Sequence, residues 1–363
     1  MPKNFPKILL TFRIGGENGG PYISHKRILE SALTEKYDIQ PFFIESPRKL
    51  RNPKVFFNTV NYIKNEKPDL VHLAGLGSEG FLVMLACRFA RVKTVVAVHG
   101  SSTEAIGYGR ISNLIFRLIE SYTVKKANAV YGVSDYVSSW KIFRNAKNYC
   151  GTVYNIPDFS KTVSSAPHLR KELGIKNEDT VVVSTGRITT DKGFDTLSEV
   201  IKSLANYENI KFIIAGDGNY LNTLKSEIKK SGLEQRVYLL GYRDDIDDIL
   251  KESDIFIICT KHETLCISLL EAANNSLPMI ASDVGGIPEI ISDKENGLLI
   301  SPDDAEGFSK AILELYKNRE ERILMGHAAK KTVTDRFNAG IIVEKLKKIY
   351  SLAIGGRNVQ RKQ

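Results

Sequence analysis

Short apolar runs rich in β-branched residues alternate with longer segments of helical period along the whole chain, and this alternation leaves few folds open. In the first half the runs are Lys7–Phe12, Leu70–Ala74, Thr94–His99 and Ala129–Ser134. In the second half they are Thr180–Thr185, Lys211–Ala215, Val237–Leu240, Ile255–Cys259 and Met279–Ser282. Near-continuous apolar runs need cover on both faces, and the helical segments between them supply it, which is the pattern of doubly wound parallel sheets. The 363 residues suffice for two such cores. The sequence therefore predicts an α/β chain with an N-terminal domain at 1–163, a second at 164–335, and a closing segment at 336–363. The link is expected near Asp158–Pro167, where Ser, Lys and Pro interrupt both periodicities. Within the closing segment, Ala339–Ala353 sets Ile342, Leu346, Ile349 and Tyr350 on one helix face, expected to pack back on the N-terminal domain, before a fraying polar tail.

No apolar run reaches the roughly 20 residues of a membrane span, and the longest, Leu82–Ala90, is broken by Arg88. The basic opening Lys3–Lys7 leads into an apolar stretch too short for a secretory signal, so a cytoplasmic chain is expected. Cys87, Cys150, Cys259 and Cys266 show no metal or redox spacing and are expected to stay reduced. Charge is divided unequally. Residues 1–165 hold 23 Lys+Arg against 12 Asp+Glu, an excess of +11, while residues 166–363 carry −2. A basic half suggests an anionic partner such as a lipid surface, although a solubilising basic surface explains the charge equally well. The segment 108–119 has the pattern of an amphipathic membrane contact, and core packing explains its apolar face as well.

Open parallel sheets bind ligands beyond the carboxyl ends of their strands, so the loops after strands hold the candidates. After Thr180–Thr185 comes Gly186–Gly193, in which Arg187 and Lys192, five residues apart, suit a diphosphate. A surface loop with two solvated cations is the plain alternative. After Lys7–Phe12 comes Gly15–Pro21, whose Gly16, Gly19 and Gly20 would let a tight turn aim amides at an anion near a helix N-terminus. The densest motif is Lys261–Ala272. It places Glu263 in a loop and Glu271 two helical turns along, buried among Leu269, Leu270 and Ala272, where both carboxylates can accept from vicinal sugar hydroxyls. The acidic stretch Asp244–Asp248 invites a metal reading, but carboxylates opening a helix explain it better.

Taken together, Glu263–Glu271, Gly186–Gly193, Ile214–Gly218 and Ile280–Glu289 resemble the retaining glycosyltransferases of family 4. Supporting matches include Pro68–His72, Val98–Gly100, Tyr154–Asp158 and Asn296–Leu299. The resemblance implies the GT-B fold, two Rossmann-like domains facing across a cleft, with the acceptor on the first and the donor on the second. It implies that Arg187 and Lys192 hold the donor diphosphate, that Glu263 binds the transferred sugar and that His99 meets it near the reacting carbon. Gly186, Gly216, Tyr242, Thr264, Leu265, Cys266, Ile267 and Glu271 would complete the donor site, Glu271 on the nucleotide ribose, with Gly16 or Gly19 and Gly20 approaching the phosphates. No metal or other cofactor is implied.

The implied reaction moves a hexose-type sugar from a nucleotide sugar, UDP before GDP, to a glycan or lipid-linked acceptor, as in polysaccharide or glycolipid synthesis at the inner face of a membrane. Two positions depart from the family pattern: Cys266 stands where a glycine is usual, and Ser276 where a glycine usually precedes the strand at Met279. Cys266 keeps a non-catalytic sugar-nucleotide binder open as an alternative, and a hydrolysing or epimerising enzyme would share the same fold. A nucleic-acid protein is disfavoured, because the basic half lacks interleaved aromatics or a recognition module.

Overall fold

The computed structural model describes residues 5–16, 19–103, 109–157 and 168–355. The chain forms two compact units, one from residues up to Ile156 together with those from Ala339 on, the other Pro157–Asn338. The expected link at 158–167 lies outside the described residues, as does the tail from 356 on.

The first unit holds β1 (Lys7–Arg13), β2 (Asp38–Ile44), β3 (Leu70–Ala74), β4 (Lys93–Val98), β5 (Ala129–Gly132) and β6 (Tyr149–Thr152). They form one parallel sheet in the order β2-β1-β3-β4-β5-β6. Ile8, Leu9 and Leu10 on β1 and Val95–Val98 on β4 are fully buried, as strands covered on both faces require. The chain leaves β1 for β2 and returns past β1 to β3, so the winding reverses between β1 and β3.

The helix Ala339–Ile354 completes this unit, inserting Ile342, Val343, Leu346, Ile349 and Tyr350 into its core. The Tyr350 hydroxyl lies 2.9 Å from Nδ1 of His72 on β3, and Tyr131 on β5 reaches the other ring nitrogen at 3.1 Å.

The second unit holds β7 (Thr180–Thr185), β8 (Ile210–Ala215), β9 (Val237–Gly241), β10 (Ile255–Ile258), β11 (Met279–Ser282) and β12 (Gly297–Ile300). Its parallel sheet runs β12-β11-β10-β7-β8-β9, so the winding reverses between β7 and β10. Three strands the periodicity did not reveal, β2, β6 and β12, all lie at sheet edges. An edge strand is covered less completely, so β2 alternates buried and exposed positions and tolerates Pro41, and β6 is only half-buried throughout.

Candidate functional site

In the second unit the reversal between β7 and β10 parts the loops that follow those two strands, and each loop brings charged side chains to the strands' carboxyl ends. After β7 the chain passes Arg187, makes a single 3₁₀ turn over Thr190–Lys192, and enters the helix Phe194–Ser203 through Gly193. Gly193 has φ +72°, and a Cβ there would overlap the Cys259 carbonyl, so only glycine lets this turn lie against the end of β10. Backbone bonds fasten the contact: the Lys261 amide donates to the Asp191 carbonyl at 3.0 Å, and the Thr260 hydroxyl donates to the same oxygen at 3.3 Å.

That fastening brings Lys192 and Glu263 together. Lys192 Nζ lies 2.5 Å from Glu263 Oε1, an ion pair between residues 71 apart in sequence, with both side chains largely shielded from solvent. Glu263 is itself braced from the next loop. The Gly286 amide donates to the Glu263 carbonyl at 3.2 Å, and Gly285, at φ +57°, packs so closely on that carbonyl that a side chain would overlap it. Arg187 stays on the surface, its guanidinium 3.9 Å from the exposed carboxylate of Asp191. Gly186 and Gly216 pack against each other where the loops after β7 and β8 meet.

The helix Ile267–Asn274 begins immediately beyond this pair. Thr264 and Leu265 belong to the preceding loop, and Cys266 occupies the N-cap position. Glu271 is therefore the fifth residue of the helix, little more than one turn from its start and not two, because three of the intervening residues remain in the loop. It is partly buried and not enclosed, and Ile267 is likewise partly buried. The Cys266 side chain is buried with Sγ 3.2 Å from the Ser268 hydroxyl, and burial pushes its thiol up to about 12, so it stays protonated and apolar in character. Tyr242, just past β9, is exposed.

Lys261 escaped the sequence reading as a framework residue. Its ammonium bonds Asp195 at 2.8 Å and Asp303 at 3.0 Å, and those two bonds raise its pKa. It thereby ties the loop after β10 to the helix Phe194–Ser203 and to the turn beyond β12. No local signal announces it, since its partners lie 66 and 42 positions away along the chain. In the acidic stretch, Asp247 and Asp248 occupy the first turn of the helix Ile246–Lys251 and pair with Lys251. Among the described residues no group of three or more His, Cys, Asp or Glu is arranged to hold a metal ion.

The remaining candidates belong to the first unit. His99 follows β4 and is buried, and burial drives its imidazole down to about 3, with the neighbouring His25 adding to the effect. Its Nε2 has no hydrogen-bond partner among the described residues. The glycine turn after β1 leads into the helix Gly20–Leu29 with Gly19 as N-cap. The expected outward amides are not all there: Gly16 donates to the Arg13 carbonyl at 3.1 Å and Gly19 to the Gly16 carbonyl at 3.0 Å, because the tight turn consumes its own donors. Residues 17 and 18 lie outside the described residues.

Residues 165–332 match the family model of glycosyl transferases group 1, and residues 26–140 that of glycosyltransferase family 4. The UDP-Gal:alpha-D-GlcNAc-diphosphoundecaprenol alpha-1,3-galactosyltransferase of Escherichia coli is 27% identical over 339 residues, spanning 88% of this chain and 86% of that one. The N-acetyl-alpha-D-glucosaminyl L-malate synthase of Bacillus anthracis is 26% identical over 266 residues, 72% of this chain and 68% of that one. Among solved structures, Anabaena HepE in complex with UDP and glucose superposes with a TM-score of 0.79 at 20% identity, covering 95% of this chain and 99% of that one. That likeness shows two doubly wound sheets of the GT-B kind.

Proposed function

Because the chain belongs to the GT-B glycosyltransferases of family 4 and is an enzyme of that kind, we propose that it moves a hexose-type sugar from a UDP-sugar to a hydroxyl of a glycan or lipid-linked acceptor, with retention at the anomeric carbon. The observation that carries the reading is the Lys192–Glu263 ion pair, held where the second sheet reverses its winding. The relatives' names support the donor and acceptor classes, one using UDP-Gal with a diphosphoundecaprenol-linked acceptor.

In the proposed reaction the bond between the anomeric carbon and the phosphate oxygen breaks and a bond to the acceptor oxygen forms. Negative charge grows on the departing diphosphate, and Lys192 and Arg187 are the cations that offset it. The proton of the acceptor hydroxyl passes to a phosphate oxygen, and no metal is required in this scheme. Glu263 holds the Lys192 ammonium in its ion pair and accepts from hydroxyls of the transferred sugar. Glu271 takes the ribose hydroxyls.

Thermal shift with UDP, GDP and a panel of their sugars tests the donor, and the anomeric configuration of the product, read by NMR, tests retention. Lys192→Ala is expected to lose most of the shift with the best donor and to lower kcat/KM by about 10²- to 10³-fold, the usual cost of removing one charge-stabilising group. Undiminished donor binding by that variant would contradict the phosphate assignment. Consumption of donor at an unchanged rate without acceptor would favour a hydrolase or epimerase, and a larger shift with GDP would reverse the base assignment.

A further inference from the structure

The helix Arg110–Lys126 in the first unit is amphipathic the wrong way round for a helix that meets only water. Its inward face carries Glu120, Thr123 and Val124, all buried, with Asn113 and Phe116 partly so. Its outward face carries Ile111, Leu114, Ile115 and Leu118, which are 79%, 58%, 54% and 63% exposed. Their spacing of three, four and seven residues makes one continuous stripe. Core packing, the alternative explanation of this segment's apolar residues, is thereby removed for these four.

Every exposed charge on the helix is positive. Arg110 and Arg117 run along one edge of the stripe, and Lys125, seven residues beyond Leu118, continues its line toward the exposed Lys126. The one acidic residue, Glu120, is turned inward, where it accepts from the Ser101 hydroxyl at 2.5 Å and the Ser102 amide at 2.6 Å. At the C-terminal end of the helix, Lys126 joins Arg88, Arg91 and Lys93 around an open pocket of about 270 Å³ with no carboxylate in its lining. Lys93 there also donates to the Ile354 carbonyl.

We propose that the outer face of the helix Arg110–Lys126 docks on an anionic lipid bilayer, its apolar stripe entering the acyl boundary and its cations, with those of the pocket, meeting the headgroups. An apolar stripe bordered by Lys and Arg is the signature of a helix lying in the membrane interface. A second copy of the chain fits the face poorly, because a two-fold contact would set Arg110, Arg117 and Lys125 against a patch of the same sign. Among the described residues no helix is long and apolar enough to cross a membrane. The proposal stands apart from the sugar chemistry, and its test uses neither donor nor acceptor.

The test is flotation of the full chain with phosphatidylcholine vesicles, with and without phosphatidylglycerol, at low and high salt. Binding is expected with the anionic vesicles only and is expected to weaken as salt screens the headgroups. Ile115→Glu with Leu118→Glu should weaken it at least about tenfold while leaving the melting temperature near the parent's, since both side chains already face solvent. Leu324→Glu, an exposed leucine of the second unit, is the control and should leave binding intact. Independently, Leu118→Trp should show a blue-shifted emission on anionic vesicles, against the constant background of the single native Trp140, which is buried. No flotation with anionic vesicles, equal binding by the double variant, equal loss in the control, an unshifted indole, or a dimer in light scattering that the double variant abolishes would each overturn the proposal.

Discussion

At the scale of the residue, backbone conformation limits which side chains the second unit accepts around its loops. Ser276 illustrates the cost. It sits at φ +58° in the turn that leads to β11, a left-handed conformation that costs a residue with a Cβ about 1–2 kcal/mol. Ser276→Gly removes that cost but adds freedom to the unfolded chain, roughly 0.4–1 kcal/mol. The expected net is a stabilisation of about 0.5 kcal/mol, read as a melting temperature raised by about 1–2 °C, and a lowered midpoint would contradict the strain. The departure from a usual glycine is thus a strained turn with the charged pair undisturbed. Cys266, the other departure, is accommodated by burial, its thiol resting on Ser268 at the helix start. Both positions were visible in the sequence as unusual, but whether each side chain meets space, strain or a partner depends on atoms brought from elsewhere in the chain.

At the scale of the element, the C-terminal helix Ala339–Ile354 packs an apolar face into the first unit and buries the Tyr350 hydroxyl within it. The Tyr350 hydroxyl and the Tyr131 hydroxyl engage the two nitrogens of the buried His72 ring, one each. Tyr350→Phe keeps the ring packing and deletes only the hydroxyl, leaving Nδ1 of His72 buried without this partner. A loss of about 1–3 kcal/mol is expected, the desolvation penalty of an unsatisfied buried group, measurable as a reduced urea midpoint. A midpoint equal to the parent's would mean that the hydroxyl contributes nothing to docking the helix. The helix itself was legible from the period of Ile342, Leu346, Ile349 and Tyr350. Its partner His72 was not, because 278 positions separate it from Tyr350 and nothing local marks the pairing.

At the scale of the whole molecule, three of the six histidines are buried in the first unit, and their protonation is tied to its stability. Burial lowers His25 to about 4 and His99 to about 3, and it holds His72 well below the ordinary value with help from the other two. The unfolded chain takes up protons on these rings near pH 6.5, whereas in the fold His25 and His99 stay neutral until about pH 4 or below and His72 is shifted in the same direction. Their contribution is therefore fully present above pH 6.5 and is lost as pH falls from there toward 4, at about 1.4 kcal/mol per pH unit for each ring that stays neutral. Urea midpoints taken between pH 7.5 and 5 should fall accordingly, and the proton NMR signals of these rings should not shift over that range. Three buried rings titrating near 6.5 would refute this. The alternation of apolar runs and helical segments was enough by itself to determine two parallel α/β sheets, because covering a strand on both faces is a local demand written into each run. Local too were the motifs that hold Lys192 and Glu263. The edge strands, the Lys261 framework, the inward turn of Glu120 and the solvent-facing stripe of the helix Arg110–Lys126 were decided only by tertiary structure. Each depends on what the chain places beside a residue, and a periodic pattern states that a helix has two faces without stating which of them the core will take.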